Sequence, residues 1–373
     1  MLIMCNASWG VGPRMSGGDR MYLEILKRIN HRFNNLFFLS NADWFNLVQP
    51  LLEKAKPIFI PKIFDVLGIF PSYIMRTIYS IIVIIFIKKI DYIYSTSDFF
   101  PDVIPAFLKK KLTKKTVWVQ SVFHLYTHWR NRKGSKFRAL VGFYTQKLSL
   151  FLAKNADIVI VINSEMEVAL LTRGFMRERV FIVHPGAPLE YIDSIPTNNT
   201  IKYDGVYLGR LAHTKGVLEL IEIWRNVVNL KPDVRLGIIG GGDDVIINQM
   251  ITKINNLDLQ NNIDIIGFID DEKAYAILKS SRVFVFPSFE EGFGIVVVEA
   301  LASGCHVVLW DLAVFQEYFS SFARLAPRPS IPAFSDLVIS ALNETHRQDK
   351  NIEMFNWNKV AEKFSNILWP LAK

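Results

Sequence analysis

Two glutamates separated by a glycine-containing segment are the residues of this chain best suited to chemistry. Glu291 and Glu299 stand eight positions apart, and residues 292–294 (Gly-Phe-Gly) directly follow the first of them. An apolar run at residues 283–286 precedes them, which predicts the order strand, glycine loop, helix. Backbone N–H groups at a helix N-terminus favour an anion, and carboxylates accept hydrogen bonds from hydroxyls. The pattern therefore indicates a site for a phosphate flanked by sugars. The alternative is a helix start whose acidic residues serve only the dipole and local hydrogen bonds.

A basic pair supplies a second candidate site. Arg210 and Lys215 stand five positions apart in the segment GRLAHTKG, after the apolar run at residues 205–208 and before a predicted helix. Arginine can clamp a phosphate through two hydrogen bonds, and lysine adds a mobile point charge. The spacing thus favours a diphosphate site. The alternative is that both are solvated loop charges, as most surface lysines and arginines are.

These segments resemble the nucleotide-recognition segments of family 4 glycosyltransferases, which are retaining enzymes of the GT-B fold. The resemblance rests on GRL-x-x-x-KG, on PSFEEGFG and on the following ALASG. It covers nearly the whole chain, densely from residue 205 to residue 308. It implies two Rossmann-like, doubly wound parallel-sheet domains that face each other across a cleft, with a C-terminal helix that crosses back to the first domain.

The resemblance also implies roles for individual residues. Arg210 and Lys215 would bind the diphosphate of the donor, Glu291 would orient the donor sugar, and Glu299 would hold the ribose. Together with His124, the first three form the predicted catalytic set. The other predicted donor contacts are Gly17, Gly18, Gly209, Gly240, Gly241, Phe268, Gly292, Phe293, Gly294 and Ile295.

Two segments in the first half of the chain match the family's sequence pattern at fewer residues. Ser16, Gly17 and Gly18 open a predicted helix, where the family places a glycine loop that approaches the donor. The alternative is a flexible turn with Asp19 near the helix cap. His124 follows the predicted strand at residues 116–122, and the family has a histidine there, near the sugar or acceptor. The alternative is a structural polar residue.

Strand-like apolar runs alternate with helical segments along both halves of the chain. In the first half the predicted strands are residues 2–5, 36–39, 92–95, 116–122, 158–162 and 180–183. Continuous apolar strands that alternate with helices are typical of parallel sheets buried on both faces. We expect an acceptor-binding domain at residues 1–187, a nucleotide-sugar-binding domain at residues 188–355 and a returning helix at residues 356–373.

The charge distribution and one apolar segment suggest contact with a membrane surface. Residues 1–187 carry 26 Lys+Arg and 12 Asp+Glu, a net charge of +14, whereas the remainder carries 17 and 23, a net charge of −6. The apolar segment at residues 77–87 is bounded by Arg76, Lys88 and Lys89. It is too short to span a bilayer, so we expect it to lie in the core or to dip into one leaflet beside lysines 88, 89, 109–111, 114 and 115.

The first ten residues do not resemble a signal peptide, and the two cysteines predict no disulfide framework. We therefore expect a cytoplasmic protein, peripheral on the inner face of the membrane.

The resemblance implies transfer of a sugar from a nucleotide diphosphate sugar, UDP- or GDP-linked, to an acceptor hydroxyl, and we expect the acceptor to be a lipid-linked or cell-surface glycan precursor. No D-x-D motif occurs in the sequence, so we expect no metal ion. We also expect no organic cofactor and no nucleic-acid partner. Two other functions stay open: another GT-B enzyme, such as a sugar-nucleotide epimerase, and a non-catalytic partner subunit that keeps the fold.

Overall fold

The computed structural model describes residues 2–8, 16–52, 54–126, 128–131, 136–197, 203–344 and 351–369. The chain divides into two compact units. The first comprises Met1–Pro185 and Trp357–Lys373, and the second comprises Gly186–Asn356. Each unit is built on one parallel sheet with its own buried apolar core.

The first unit contains a parallel sheet of seven described strands, in the order β3-β2-β1-β4-β5-β6-β7. The strands are β1 Leu2–Asn6, β2 Asn35–Ser40, β3 Ala55–Phe59, β4 Tyr92–Ser95, β5 Val117–Val122, β6 Ile158–Val161 and β7 Val180–Ile182. The helices are α1 Gly17–Ile29, α2 Ala42–Val48, α3 Ile69–Phe86, α4 Phe100–Leu112, α5 Lys136–Ala153 and α6 Ser164–Leu171. Connections run in one direction from β1 to β3 and in the other from β4 to β7. Since crossovers are right-handed, the helices cover both faces of the sheet.

The second unit contains a parallel sheet of six described strands, in the order β10-β9-β8-β11-β12-β13. The strands are β8 Gly205–Leu208, β9 Leu236–Ile239, β10 Ile263–Gly267, β11 Val283–Phe286, β12 His306–Trp310 and β13 Arg324–Ala326. The helices are α7 Leu189–Ser194, α8 Val217–Leu230, α9 Asp244–Asn256, α10 Asp271–Ser280, α11 Ile295–Ala302, α12 Ala313–Phe319 and α13 Ile331–Leu342. The last helix, α14 Trp357–Leu368, packs on α1 within the first unit.

The predicted fold class is confirmed: both units are doubly wound, Rossmann-like α/β domains. Strands β4, β8 and β11 begin and end at the predicted residues, and most other predicted strand ends differ by one or two residues. Strand β3 was not predicted because it contains Pro57. Proline is tolerated there because β3 is an edge strand, which needs fewer backbone donors.

The apolar segment predicted at residues 77–87 is part of a longer helix. Helix α3 spans 18 residues, about 27 Å at 1.5 Å per residue. Arg76, which was expected to bound the segment, is fully buried within the helix. Its guanidinium donates to the Ser72 hydroxyl at 3.1 Å and the Ser8 carbonyl at 2.8 Å, and forms an ion pair with Asp65. The helix therefore continues through this charge because its partners lie inside the domain. Among the described residues, no helix combines the length and apolar character needed to cross a bilayer.

Candidate active site

The carboxyl ends of three strands in the second unit pack together through glycines. Gly240 has a φ of +146°, and a Cβ atom there would lie 1.8 Å from the Gly209 carbonyl oxygen. Its N–H donates to the Gly267 carbonyl at 2.9 Å. A side chain at position 240 would push β8 and β9 apart, so glycine is required for this close approach. The carboxyl ends of these strands therefore form an open side of the sheet, which is the side where α/β folds bind ligands.

Phe268 lies at this sheet edge and faces solvent. It directly follows β10, and its side chain is 87% exposed. Gly241 is its neighbour: a Cβ atom there would lie 3.9 Å from the Cβ of Phe268. An aromatic ring so exposed buries little of its apolar surface within the domain, and a flat partner such as a nucleotide base would cover it. The structure thus places the predicted Gly209, Gly240, Gly241 and Phe268 on one edge.

The loop that carries Lys215 is joined to the loop that carries Glu291. Gly216 has a φ of +67°, and a Cβ atom there would lie 1.9 Å from the Pro287 carbonyl oxygen. The Phe289 N–H also donates to the Thr214 carbonyl at 2.9 Å. These backbone contacts hold the ends of β8 and β11 together. They bring two residues 76 positions apart in sequence into direct contact.

Lys215 and Glu291 form an ion pair. The Lys215 Nζ lies 2.7 Å from Glu291 Oε1 and also donates to the Glu290 carbonyl at 2.9 Å. The side chains of Lys215 and Glu291 are only 18% and 13% exposed. Two residues that the sequence assigned to different parts of the donor are therefore partners here. A ligand phosphate that approaches Lys215 would compete with the Glu291 carboxylate for the same ammonium.

Tyr207 is a further residue of this region, and the sequence analysis did not predict it. Its buried hydroxyl donates to the Arg210 carbonyl at 3.0 Å. Burial raises the pKa of Tyr207, the negative charge of Glu291 raises it further, and the positive charge of Arg210 lowers it. The Arg210 side chain itself is exposed, and it forms no ion pair with any residue that the structure describes. Its charge is therefore available to a ligand anion.

Glu299 lies apart from the ion pair, buried within α11. It is 3% exposed and accepts a hydrogen bond of 2.8 Å from the Tyr275 hydroxyl of α10. A buried carboxylate requires such donors. The hydrogen bond agrees with the alternative noted for this residue, a glutamate held by local bonds. A role toward the ribose stays a prediction.

The glycine loop between the two glutamates points one of its side chains into the core. Phe293 is 3% exposed, and its ring centre lies 5.0 Å from that of Tyr318. Gly294 follows with a φ of +102° as the N-cap residue of α11, while Gly292 is exposed and Ile295 is half-buried. Phe293 therefore anchors the loop through its side chain, and only its backbone is left for the predicted contact with the donor.

In the first unit, the structure brings the predicted glycine pair next to the loop that carries His124. Gly17 and Gly18 form the first turn of α1, where Ser16 and Asp19 make a capping box. A Cβ atom at Gly18 would lie 2.7 Å from the ring of Phe123, the residue before His124. His124 itself is exposed. Asp19 therefore has the capping role that the alternative assigned to it, and the glycines permit the close packing on Phe123.

A buried acid beside His124 was not predicted. Asp98 follows β4, is 8% exposed and accepts a hydrogen bond of 2.5 Å from the Gln146 amide. The same amide group donates to the His124 carbonyl at 2.8 Å. Burial raises the pKa of Asp98 from 3.8 to about 6, although the bond from Gln146 opposes the shift. The sequence feature that could have indicated Asp98 is its position three residues after a predicted strand.

Comparisons with known proteins agree with this architecture. Residues 193–354 match the family model described as "Glycosyl transferases group 1". An uncharacterized glycosyltransferase of Methanocaldococcus jannaschii is 28% identical over 221 residues, which cover 55% of this chain and 53% of that protein. The phosphatidyl-myo-inositol mannosyltransferase of Mycobacterium leprae is 28% identical over 45% of this chain and 46% of its own length. The chain thus spans about half the length of these two relatives.

A solved structure extends the likeness to the whole chain. The crystal structure of Anabaena HepE in complex with UDP and glucose has a TM-score of 0.75 and 16% identity, and the match covers 99% of both chains. At this identity the likeness shows the fold alone. Together with the family match, it confirms the resemblance inferred from the sequence. Residues 193–354 therefore match the glycosyl transferases group 1 family, and the chain has the GT-B fold.

Proposed function

We propose that the protein is a retaining glycosyltransferase that moves a sugar from a nucleotide diphosphate sugar to an acceptor hydroxyl. The observation that carries the proposal is the ion pair between Lys215 and Glu291 at the ends of β8 and β11. The family match supports glycosyl transfer. HepE was crystallised in complex with UDP and glucose, which supports a UDP-linked donor, with a GDP-linked donor as the alternative.

In this proposal Lys215 exchanges partners when the donor binds. The diphosphate takes up the Lys215 ammonium and the exposed Arg210 guanidinium, and both cations stabilise the charge that grows on the leaving group. Glu291 loses its partner and can accept hydrogen bonds from hydroxyls of the donor sugar. Because two cationic side chains serve the leaving group, the proposed reaction uses no metal ion and no organic cofactor.

His124 and the loop around it would serve the acceptor. The histidine is exposed beside the glycine turn of α1, at the end of β5. The name of the mannosyltransferase relative indicates a lipid as its substrate. We extend that to this chain and propose a lipid-linked or glycan precursor as the acceptor.

A broad apolar surface on the first unit supports contact with a membrane. Helix α3 exposes Ile78, Ile82 and Phe86 at one-turn intervals, with Phe86 79% exposed. Helix α5 exposes a second stripe, and both helices pack on α4 between them. The α5 residues are Phe137, Tyr144, Leu148 and Phe151. Exposed apolar stripes of this kind mark an interaction surface. With the net charge of +14 on residues 1–187, we propose that it lies on an anionic membrane at its cytoplasmic face.

The structure corrects which lysines can take part. Lys109 is 3% exposed and donates to the Ile87 carbonyl at 2.7 Å, and burial lowers its pKa. Lys110 pairs with Asp157 at 2.7 Å. Neither is available to lipid headgroups, because each satisfies a partner within the domain. Exposed lysines flank the ends of α3 and α4 instead, at positions 88, 89, 111, 114 and 115.

Two experiments test the proposed activity. A thermal-shift screen with UDP-, GDP-, ADP- and CDP-sugars should raise the melting temperature with one base only, since a ligand of the native state stabilises it. Product analysis with that donor then separates the alternatives. Release of nucleoside diphosphate with a glycosylated acceptor supports the transferase. A converted sugar nucleotide would indicate an epimerase, and binding without product would indicate a partner subunit.

Sedimentation with vesicles tests the membrane contact. We expect the protein to pellet with vesicles rich in anionic lipid at low salt and less at high salt, since each lysine near the surface contributes about 1 kcal/mol. Substitution of Lys88, Lys89 and Lys111 by glutamate should abolish the salt-dependent part. Replacement of Ile82 and Phe86 by serine should remove the rest, and melting curves must show that this variant is folded. No pelleting of the folded wild type would refute the contact.

A further inference from the structure

A cavity of about 270 Å³ lies beside α5 in the first unit, apart from every residue assigned above to the donor. Tyr126, Phe143 and Leu150 form apolar walls, and Lys147, Lys154 and Arg173 supply positive charge. Pockets that enclose drug-sized ligands measure about 300–1,000 Å³. This cavity therefore has room for a small head group and a few methylenes.

The three cations have no acidic partner in the cavity. Among the residues that the structure describes, no aspartate or glutamate lines the cavity, and none forms an ion pair with any of the three cations. The Lys154 Nζ lies 5.7 Å from the centre of the Phe151 ring. Gly174, with a φ of +85°, leaves space beside it: a Cβ atom there would lie 3.3 Å from that nitrogen. Three positive charges that line an apolar cavity favour a phosphate, which accepts several charge-assisted hydrogen bonds.

One wall of the cavity is fixed by Gln146. This side chain is 9% exposed and uses both ends of its amide. Its oxygen accepts from the Tyr126 N–H at 2.8 Å, and its nitrogen donates to Asp98 and to the His124 carbonyl. The wall is thus preorganised, and it is joined by hydrogen bonds to the loop that carries the predicted acceptor residue.

The surroundings of the cavity indicate how its ligand arrives. Phe151 lines the cavity and is 64% exposed, and it ends the apolar stripe of α5 described above. A hydrocarbon chain that lies on the stripe can therefore continue into the cavity, while a phosphate meets the cations. We propose that this cavity binds the phosphate group and first methylenes of a membrane lipid. The inference deepens the proposed membrane contact and rests on it for the source of the ligand.

Calorimetry with octyl phosphate tests the site without any membrane. We expect octyl phosphate to bind at least tenfold more tightly than octyl glucoside, which lacks the charge, and than inorganic phosphate, which lacks the chain. The double variant Lys147→Gln, Lys154→Gln should weaken binding of octyl phosphate at least tenfold. The matched control Lys27→Gln, Lys363→Gln removes two exposed charges elsewhere on the same unit and should bind like the wild type. Melting curves must show that both variants are folded.

The outcomes separate this site from the membrane contact. Equal binding of the three compounds, or equal loss in both double variants, would overturn the site even if the protein pellets with vesicles. Selective loss in the Lys147, Lys154 variant supports the site even if the wild type does not pellet. In that case the membrane contact fails, and the phosphate comes from a lipid that reaches the protein outside a bilayer.

Discussion

Replacement of Lys215 by alanine removes a charge that contacts two acceptors in the free protein. Its ammonium lies 2.7 Å from Glu291 Oε1 and 2.9 Å from the Glu290 carbonyl. Both side chains are mostly buried, so the substitution leaves the Glu291 carboxylate without its cation and should lower the free energy of unfolding by about 1–3 kcal/mol. In the donor complex the same ammonium would contact a diphosphate. A lost charge-assisted hydrogen bond costs about 1.5–3 kcal/mol, which is roughly a 10- to 150-fold weaker Kd.

Calorimetric titration of the matching nucleoside diphosphate measures this directly. Lys215→Ala should show the weaker Kd, and turnover should also fall, because the leaving group loses part of its stabilisation. Lys231→Ala, at the C-terminal end of α8 in the same unit, is a control that should leave Kd and turnover unchanged. If a folded Lys215→Ala protein binds and turns over a confirmed donor like the wild type, the reasoning about this ion pair is wrong.

Other substitutions test the remaining site residues. Arg210→Ala should weaken diphosphate binding by a similar factor, with little change in melting temperature because the side chain is exposed. Glu299→Gln should mainly raise the donor Kd, whereas Glu291→Ala should mainly lower kcat; equal effects on Kd alone would contradict these separate roles. Phe268→Ala should cost about 1–3 kcal/mol of nucleotide affinity while Phe268→Trp retains it, and equal affinities would exclude base stacking. Asp98→Asn should raise the melting temperature at pH 7.5 but not near pH 4. The folded pKa of about 6 lies above the unfolded value, so the stability that this carboxyl contributes is present below about pH 4 and lost as pH rises through 6. The difference corresponds to about 3 kcal/mol, and a gain that does not change with pH would refute the burial argument.

The sequence predicted the fold well because the signals for it are local. Continuous apolar runs such as Val283–Phe286 report strands that are buried on both faces, and glycines mark the loops that follow them. The alternation with helices then leaves few topologies. What the sequence could not show depends on contacts between distant residues. In the sequence Arg76 looks like the end of an apolar segment, because the Ser8 carbonyl and the Asp65 carboxylate that pair with it lie elsewhere along the chain.

The candidate site, too, could be predicted from the sequence only in part. The types and spacing of Lys215 and Glu291 indicated diphosphate and sugar chemistry, but their direct contact depends on the close packing of Gly216 on Pro287. Tyr207 and Tyr275 belong to ordinary apolar patterns along a strand and a helix. Their hydroxyls gain meaning only from the tertiary partners that they reach.

The proposed activity requires the second unit to bind a nucleotide diphosphate sugar for transfer with retained configuration. Proton NMR of the anomeric signal during turnover is the decisive experiment, with the donor identified by thermal shift and a lipid-linked acceptor. We expect release of nucleoside diphosphate together with a product whose anomeric configuration equals that of the donor, and loss of both signals in Lys215→Ala. A product of inverted configuration, or a donor that binds and is never cleaved in the presence of acceptors, would contradict the proposed activity.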